Sequence, residues 1–445
     1  MNPILEALAG PSGQFAYQIK PAEMLATALE THRGALNASG MGIGKTHMSL
    51  AAVLLTQRQP AIICPKPCVA GWERAVAHFG VKPLFIGGYE EVKRGSRHFN
   101  RTGWHLPEGT TIIFDEAHHC KGGEDTENGR MLGSAWQAGY PILMLSATIA
   151  ENPAEMWSSG QVLGLHDGSP EGFKTWLISM GCEWSLDRER WQFPARHRSR
   201  LQEIQAHIFE GSPPRGIRIT PEALGAAFPP TDIRCVAVEL PDEIRDRINQ
   251  AWKHCHDLEQ RLRKQGAPSW KIVQLKRNTW AQAYELSQTA KAPYLIEKAR
   301  AGVEAGYSVP IFCNYTDTRK EIMAGLHTRC GIFGGQKPLE REKHRLDFQQ
   351  DRQRIIVCQI QSGGTGLDLH DVESDFERFA FILPCPKWML IEQASGRVRR
   401  AGGGPSQQRI IYAAGTIEST MCKRHAERLA NLKALVGEGM EITDD

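Results

Sequence analysis

The sequence predicts an α/β protein built of two tandem domains, each a parallel sheet covered by helices. Short, continuous apolar runs alternate with helical stretches in both halves of the chain, a pattern typical of buried parallel strands. The chain has 445 residues, which exceeds one ordinary core and indicates two or three domains. Prolines near position 230 indicate a boundary between domains. We therefore expect domains at 1–230 and 231–445, with a small helical protrusion at about 241–290.

The composition excludes several classes of protein. An apolar content of 41% and a charged content of 23% are those of a soluble globular protein. The formal charge of +3 is nearly balanced, so a polyanionic partner has to be held by local patches. Eleven cysteines are scattered without zinc-site spacing, which predicts reduced thiols. No apolar run has the length of a membrane span, and we expect a cytoplasmic protein of bacterial or viral rather than nuclear context.

The glycine-rich segment 37–46 is the strongest functional signal. It is predicted to be a turn between a strand and a helix, in which backbone N–H groups converge on a polyphosphate at the helix N-terminus. Lys45 can then reach the β- and γ-phosphates, and Thr46 can reach Mg²⁺. The eight-residue phosphate-loop pattern begins with glycine, whereas this chain has Ser39. An ordinary glycine-rich turn before Lys-Thr is the alternative. The glycines are Gly40, Gly42 and Gly44.

The remaining elements of the first half follow the same pattern of strand and helix. Residues 14–31 have apolar side chains at helical spacing, and Thr46–Thr56 is expected to form the helix after the phosphate loop. Together with the intervening apolar runs they predict one parallel sheet. The predicted buried strands are Ala61–Cys64, Pro83–Ile86, Thr110–Phe114 and Pro141–Leu145.

Two carboxylates directly follow the third of these strands. Asp115 and Glu116 are expected at the carboxyl end of a buried strand, where open α/β sheets bind ligands. Asp115 would hold Mg²⁺ through water, and Glu116 would orient and deprotonate the attacking water in phosphoryl transfer. A solvated helix N-cap is the alternative. The next strand ends in Ser146-Ala147-Thr148, whose hydroxyl groups can link the carboxylates to a neighbouring ligand.

These segments resemble, in order and spacing, the first three motifs of superfamily-2 helicases and translocases. Within that superfamily the chain looks most like the Swi/Snf-type branch, which often lacks the first loop glycine. The resemblance implies two RecA-like domains, ATP and Mg²⁺ as cofactors, adenine contact by Gln18 and DNA contact by Lys66. It also implies that Ser146 and Thr148 couple the ATP site to the DNA site. The segments that carry the Swi/Snf likeness are Tyr17-Gln18, Met41–Thr46, and Cys64-Pro65-Lys66 with Trp72.

The second half has a similar strand pattern and a fifth helicase-like motif. Three runs are predicted to be buried strands: Val309–Phe312, Arg354–Cys358 and Phe379–Leu383. The segment 361–369 resembles the fifth motif, whose glycines permit close backbone approach to nucleic-acid phosphate and to the inter-domain cleft. The resemblance implies DNA contacts by Gly363 and Thr365, and nucleotide contacts by Gly366 and Asp368.

The segment 393–400 resembles the sixth motif. Arg397 and Arg400 are three positions apart, so on a helix they would share one face and could both point at the γ-phosphate. That is arginine-finger chemistry, and Gln393 is implied to be a coupling residue. A solvated basic helix surface is the alternative. We expect the first domain to bring the phosphate loop and the carboxylates, and the second to bring the arginines, so that hydrolysis requires a closed cleft.

Basic and aromatic residues are interleaved over 188–200, which suits phosphate contact together with base stacking. Trp184 and Trp191 flank a polar run short enough for a hairpin turn, and exposed Trp191 and Phe193 are expected to stack on unpaired bases. Burial of Trp191 in the core is the alternative. The phosphate contacts are expected from Arg196, Arg198 and Arg200.

A second basic segment lies inside the expected protrusion. Residues 245–277 hold nine Lys or Arg against three Asp or Glu. A helical protrusion that faces a duplex and an ordinary solvated face are both compatible with this excess.

These predictions describe an ATP hydrolase, namely an ATP-dependent DNA helicase or translocase. It would act as a monomeric motor on duplex, forked or branched DNA with little sequence specificity. The layout of Phe173–Leu240 and of Gln288–Lys291 resembles the annealing-helicase subgroup, which implies fork remodelling or branch migration in DNA repair, replication or recombination. Three alternatives stay open: an RNA helicase, the motor subunit of a restriction or defence complex, and a regulatory nucleotide-binding module.

Overall fold

A computed structural model describes residues 2–95, 97–100, 103–123, 126–147, 149–186, 189–220, 223–224, 228–360, 368–371, 376–425 and 443–444. The chain divides into two compact units between residues 225 and 226. Each unit contains its own parallel sheet. None of the helices in these described ranges combines the length and apolar character needed to cross a membrane.

The first unit contains a six-stranded parallel sheet and a separate antiparallel hairpin. The strand order across the sheet is β3-β2-β4-β5-β1-β8. The predicted parallel sheet is confirmed, with β3 two residues later than expected. The strands are β1 (Gly34–Asn37), β2 (Gln59–Cys64), β3 (Phe85–Gly88), β4 (Thr110–Asp115), β5 (Ile142–Leu145), β6 (Glu183–Ser185) and β7 (Arg190–Gln192) in the hairpin, and β8 (Gly216–Ile217).

Helices connect these strands. The helix predicted over residues 14–31 is a short 3₁₀ turn, Ala16–Gln18, followed by a true α-helix. The helices are α1 (Pro3–Ala9), α2 (Ile19–His32), α3 (Lys45–Leu55), α4 (Val69–His78), α5 (Tyr89–Lys93), α6 (Glu127–Gln137), α7 (Trp157–Val162), α8 (Pro170–Ser179) and α9 (Leu201–Phe209).

The first sheet is buried on both faces. Every residue of β1, β4 and β5 is buried, as expected for parallel strands between two layers of helices. Their side chains form one core cluster that includes Leu36, Ile112, Phe114 and Met144. Because β4, β5 and β1 are neighbours, the loops that follow them emerge at the same edge of the sheet. This edge carries all three motifs predicted for the first half.

The second unit contains a seven-stranded sheet, again entirely parallel, in the order β11-β12-β10-β13-β14-β9-β15. The three predicted central strands are present, each shifted or extended by one residue. The strands are β9 (Thr231–Val238), β10 (Val309–Cys313), β11 (Gly331–Ile332), β12 (Ile355–Gln359), β13 (Arg378–Ile382), β14 (Ser406–Ala413) and β15 (Thr443–Asp444).

The second unit has a run of helices between β9 and β10, and further helices after β10. The helices are α10 (Asp242–Lys264), α11 (Ser269–Leu275), a π-helical turn at Lys276–Trp280, α12 (Ala281–Thr289), α13 (Ala292–Glu304), α14 (Thr316–Gly325), α15 (Pro338–Gln349) and α16 (Trp388–Val398).

Helix α10 is amphipathic. Its buried residues recur at spacings of three and four, namely Ile248, Trp252, Cys255 and Glu259, so one face packs inward and the other stays in solvent. The Trp252 ring contacts the Tyr284 ring of α12 edge-on, with centroids 4.3 Å apart. The basic side chains of α10 lie on its outer side, where Lys253 and Lys264 are exposed.

Candidate nucleotide site

The segment after β1 has the backbone of a phosphate loop. Strand β1 ends at Asn37 and α3 begins at Lys45, with Gly44 as its N-cap. Gly42 and Gly44 have φ angles of 76° and 94°, a region that other residues rarely adopt. A Cβ atom on Gly44 would lie 2.3 Å from Nε2 of Gln18. The loop therefore needs glycine at 44 for both backbone and space, and it leaves the N-terminus of α3 open to an anion.

Ser39, the departure from the phosphate-loop pattern, has a structural use. Its side chain is buried, and its Oγ accepts a hydrogen bond from the Ile219 N–H at 3.2 Å. The Gly40 N–H donates to the Ile219 carbonyl at 2.9 Å. Ser39 has no positive φ, so this position does not need glycine, and the serine hydroxyl anchors the loop to the segment after β8.

Lys45 lies over its own loop. Its Nζ donates to the carbonyl oxygens of Ser39 at 3.0 Å and Gly40 at 3.1 Å. These hydrogen bonds keep the ammonium at the loop, where phosphate oxygens can replace the carbonyls as partners. Thr46 follows in the first turn of α3 and is half-buried, a position from which its hydroxyl can reach a cation at the phosphates.

Gln18 and Tyr17 donate hydrogen bonds to the backbone of the loop. The Gln18 amide donates to the Ile43 carbonyl at 3.2 Å, and the Tyr17 hydroxyl donates to the same oxygen at 2.9 Å. Gln18 is only 4% exposed, and its Oε1 has no hydrogen-bond partner among the described residues. A buried acceptor without a donor is costly, and the exocyclic amine of adenine is a donor of the kind that it lacks. The residues present thus fit an adenine nucleotide.

Asp115, the last residue of β4, is fixed by two donors. The indole N–H of Trp72 donates to its Oδ2 at 2.8 Å, and the Glu116 backbone N–H donates to its Oδ1 at 2.9 Å. Burial and the neighbouring Glu116 charge raise the pKa of Asp115 to about 6, against the opposing effect of Lys45. Each carboxylate oxygen keeps further acceptor capacity. The environment therefore favours a cation beside Asp115, as Mg²⁺ binding through water requires.

Trp72 was identified only as a motif residue, and Tyr89 was not identified at all. The Tyr89 hydroxyl donates to the Asp115 carbonyl at 2.9 Å, so an indole and a phenol hold the acidic residue from two sides. Trp72 is 1% exposed. The sequence signal for such a role is weak, because a buried aromatic residue after a strand is ordinary core.

Glu116 begins the link between the second and third motifs. Its backbone has φ 54° and ψ 50°, an uncommon conformation that costs free energy and is concentrated at functional sites. Its Oε2 lies 3.2 Å from Nδ1 of His118, and that nitrogen lies 3.3 Å from Oγ of Ser146. The ends of β4 and β5 are thus joined through His118. Thr148, the other predicted coupling residue, lies outside the described residues.

The second unit places Arg400 against Asp368. Arg400 Nη2 and Asp368 Oδ1 are 2.8 Å apart, and both side chains are partly exposed. Burial acts to raise the pKa of Asp368, but the charges of Arg400, His370 and Arg397 outweigh it and hold that pKa below its usual range. Both predicted arginines therefore act on the same carboxylate.

The prediction that Arg397 and Arg400 share one helical face is wrong. Helix α16 ends at Val398, and Arg399 is extended at φ −118° and ψ 127°, so Arg400 lies beyond the helix. The Leu369 N–H donates to the Arg397 carbonyl at 3.0 Å, which joins the two motif segments. Gln393 is buried within α16. The predicted contact residues Gly363, Thr365 and Gly366 lie outside the described residues.

The chain is similar to known proteins in sequence and in structure. No protein-family model matches the chain. A protein of Acanthamoeba polyphaga mimivirus, provisionally named an ATP-dependent RNA helicase, is 29% identical over 95% of this chain and 83% of its own length. The structure of S. cerevisiae Dbp5 bound to RNA and ADP BeF3 matches 100% of this chain and 93% of that one, with a TM-score of 0.53 and 13% identity.

The chain folds as two α/β units, each built on its own parallel sheet. Its fold is the tandem RecA-like arrangement that the motifs implied. Two structures of the Sulfolobus solfataricus SWI2/SNF2 ATPase core, one in complex with dsDNA, are also similar to this chain. They match 95% and 98% of this chain and 92% and 93% of their own, each at 18% identity, with TM-scores of 0.38 and 0.39.

The predicted hairpin is present, but its exposed aromatic residue is a different one. Trp184 of β6 pairs directly with Trp191 of β7, so both rings lie on one face. Trp191 and Phe193 are partly buried against the cluster that contains Phe173 and Leu177. The expectation that Trp191 and Phe193 are exposed is therefore wrong. Trp184, at 50% exposure, is the ring available to a ligand.

The predicted phosphate contacts lie on two segments, one that follows the hairpin and one that follows β2. Arg196 and Arg200 are exposed on the 3₁₀ helix Ala195–Arg200, and Arg198 is partly exposed there. Lys66 is exposed in the 3₁₀ turn Lys66–Cys68 after β2. Their assignment to DNA contact stays a prediction.

Proposed function

We propose that this chain is a superfamily-2 ATPase of the Swi/Snf type, a motor that uses ATP and Mg²⁺ to move on duplex or branched DNA. The observation that carries the proposal is the convergence of the phosphate loop, Asp115 and Glu116 at one edge of a buried sheet. The orphaned Gln18 acceptor beside the loop supports an adenine nucleotide. The Swi/Snf-type branch is supported by the motif sequences at Tyr17-Gln18 and Met41–Thr46.

Each residue of the site has a proposed role in hydrolysis. Backbone N–H groups at the start of α3 bind the phosphates, and Lys45 exchanges its two carbonyl partners for phosphate oxygens. Thr46 and Asp115 would hold Mg²⁺, which would supply charge neutralisation at the phosphates. Glu116 orients the attacking water and accepts its proton. His118, whose Nδ1 lies 3.2 Å from Oε2 of Glu116, would keep the carboxylate in place.

The arginines are proposed to act in the transition state. Arg397 and Arg400 would stabilise the charge that develops on the transferred phosphoryl group. The Arg400–Asp368 ion pair supports this role, because a partly exposed pair can exchange partners at low cost. Closure and opening of the protein during each cycle would then drive the steps along nucleic acid.

Fork remodelling or branch migration is the finer proposal. It is supported by the likeness of Phe173–Leu240 and Gln288–Lys291 to annealing helicases. In the structure, Gln288 and Lys291 are buried. The Gln288 amide donates to the Pro384 carbonyl at 2.8 Å, and Lys291 is ion-paired with Glu418. These residues would act by holding the second unit together, so the subgroup proposal depends mainly on the hairpin region.

RNA is the second candidate substrate. The mimivirus relative carries the name of an RNA helicase, and phosphate contacts alone do not distinguish the two nucleic acids. A motor subunit of a restriction or defence complex is a further alternative, which copurification with a nuclease or methylase would favour. The monomeric state and the cytoplasmic location stay predictions.

Stimulation of ATP hydrolysis by different nucleic acids tests the proposed function. Linear duplex, single-stranded, forked and four-way DNA are compared with single-stranded and duplex RNA at one salt concentration, because affinity depends strongly on salt. We expect the largest stimulation with forked or four-way DNA. Stimulation by RNA alone would establish the second candidate. Hydrolysis that no nucleic acid stimulates would contradict both.

A further inference from the structure

The hairpin region carries a group of exposed large apolar side chains. Five large apolar side chains are exposed in the described part of the chain, and three of them lie between positions 178 and 186. Ile178 at the end of α8 is 56% exposed, Trp184 on β6 is 50% exposed, and Leu186 in the hairpin turn is 83% exposed. Isolated exposed apolar residues are ordinary, but a group of them indicates an interaction site. These three residues lie within one stretch of nine positions, 178–186, and are called the hairpin patch.

The Trp184 ring is held in a fixed orientation. It lies edge-on to Trp191, with ring centroids 5.7 Å apart and planes at 76°. Trp191 itself packs on the cluster of Phe173, Leu177 and Cys182. A half-exposed ring supported by a second ring loses little side-chain entropy when a ligand covers it. Trp184 is therefore suited to stack against a flat ligand.

Arginines border the hairpin patch. Residues 189–200 contain four Arg and one Glu. Arg196 is ion-paired with Glu183, the residue before Trp184, and Arg200 Nη1 donates to the carbonyl of Ser179, the residue after Ile178, at 2.5 Å. The cations are thus tied to the neighbours of the exposed apolar residues. This charge complements a polyanion, and flat rings together with phosphates occur in unpaired nucleic acid.

We propose that the hairpin patch binds unpaired nucleotides, with a base stacked on Trp184 and the backbone phosphates beside Arg196 and Arg200. The inference rests on the proposed nucleic-acid function and names the part of the substrate that this surface takes. Stacking tolerates any base because every base has a π-face. An unpaired DNA strand and an unpaired RNA strand offer the same chemistry here.

Fluorescence anisotropy of the full-length protein without ATP tests the proposal. The probes are labelled oligothymidylate, oligouridylate and a blunt DNA duplex at one salt concentration. We expect Trp184→Ala to weaken binding of a single strand about 5- to 150-fold, which corresponds to roughly 1–3 kcal/mol at about 1.4 kcal/mol per factor of ten. Trp184→Phe keeps a ring and should retain most of the affinity. Duplex binding should change less than about twofold.

Leu339→Ala is the matched control, because Leu339 is an exposed apolar residue of α15 outside the hairpin patch. Unchanged single-strand affinity in Trp184→Ala would overturn the proposal, and so would an equal loss for the duplex. The relative losses of the two oligomers assign the strand to DNA or RNA. If Trp184→Ala lowers the melting temperature, Leu186→Ser decides: weaker single-strand binding supports the proposal, and unchanged binding overturns it.

Failure of the proposed function gives a different result. Nucleic-acid-independent ATP hydrolysis would contradict the motor, whereas the anisotropy measurement needs neither ATP nor hydrolysis. A Trp184-dependent affinity for single strands would then still establish the hairpin patch as a binding site.

Discussion

The acidic site of the first unit and the arginine segment of the second differ in how firmly their side chains are held. Asp115 lies at the end of a buried strand with hydrogen bonds to Trp72 and to the Glu116 backbone. Arg400 lies beyond the end of a helix and is paired with Asp368 across partly exposed surface. Buried hydrogen bonds to a charged group are strong, whereas an exposed ion pair contributes little.

This difference predicts that the two regions have different roles in binding and catalysis. The proposed nucleotide-site residues of the first unit already have fixed hydrogen-bond partners, so their loss should affect ground-state binding or a chemical step at a fixed position. The arginine segment can change partners, so its loss should affect the transition state more than binding. Four substitutions test this division, from the largest expected effect to the smallest.

Glu116→Gln should lower kcat about 10²–10⁴-fold, the usual contribution of a general base. The amide keeps the shape of the side chain but cannot accept a proton, so ATP affinity should change less than about threefold. Steady-state hydrolysis and nucleotide titration measure the two quantities. Exposed Glu23→Gln is the control. Wild-type turnover in Glu116→Gln would exclude Glu116 as the base.

Arg400→Ala should lower kcat about 10²–10³-fold, the cost of removing one donor from developing charge. ATP affinity should stay within about threefold of wild type, because the charge is complete only in the transition state. The measurement is single-turnover hydrolysis beside nucleotide titration, with exposed Arg352→Ala as the control. A collapse of ATP affinity with preserved turnover at saturation would make Arg400 a ground-state ligand.

Gly44→Ala should destabilise the protein by about 1–3 kcal/mol, because the new Cβ meets Gln18 and the backbone has a positive φ. Gly13→Ala is a close control, since Gly13 has φ 71° and nothing within 4 Å of an added Cβ. Chemical denaturation of both variants separates the clash from the backbone strain. Equal losses would show that Gln18 does not constrain the loop.

Gln18→Ala should weaken ATP binding roughly 3- to 10-fold, as expected for one lost hydrogen bond. GTP has no amine at the same position, so its binding should change less, and the ATP-to-GTP preference should fall. Competition between the two nucleotides measures this ratio. An unchanged preference would contradict adenine recognition by Gln18.

Residues in regular elements were largely predictable from sequence. The phosphate loop, Asp115 and Glu116 follow buried strands, and a parallel sheet brings the ends of neighbouring strands to one edge. The partners of these residues were not predictable, because Trp72 and Tyr89 reach Asp115 only through tertiary packing. The same limit explains Arg400: its sequence neighbours are compatible with a helix, and no local signal showed that the helix ends at Val398.

The hairpin shows where sequence patterns stop being informative. The turn between Trp184 and Trp191 was predicted from its polar residues, and the register confirms the pairing of the two strands. Which ring is exposed depends on the position of Phe173 and Leu177, which lie on a different element. Two tryptophans with similar sequence surroundings therefore have different environments.

The central claim is that the phosphate loop binds and hydrolyses ATP, and Lys45→Ala tests it most directly. No other side chain within segment 37–46 carries a positive charge. ATP hydrolysis is measured at saturating ATP with and without the most stimulating nucleic acid, and exposed Lys20→Ala serves as the control. We expect Lys45→Ala to lose hydrolysis in both conditions. Retention of more than about a tenth of wild-type kcat, a loss below roughly 1.4 kcal/mol, would contradict the assignment.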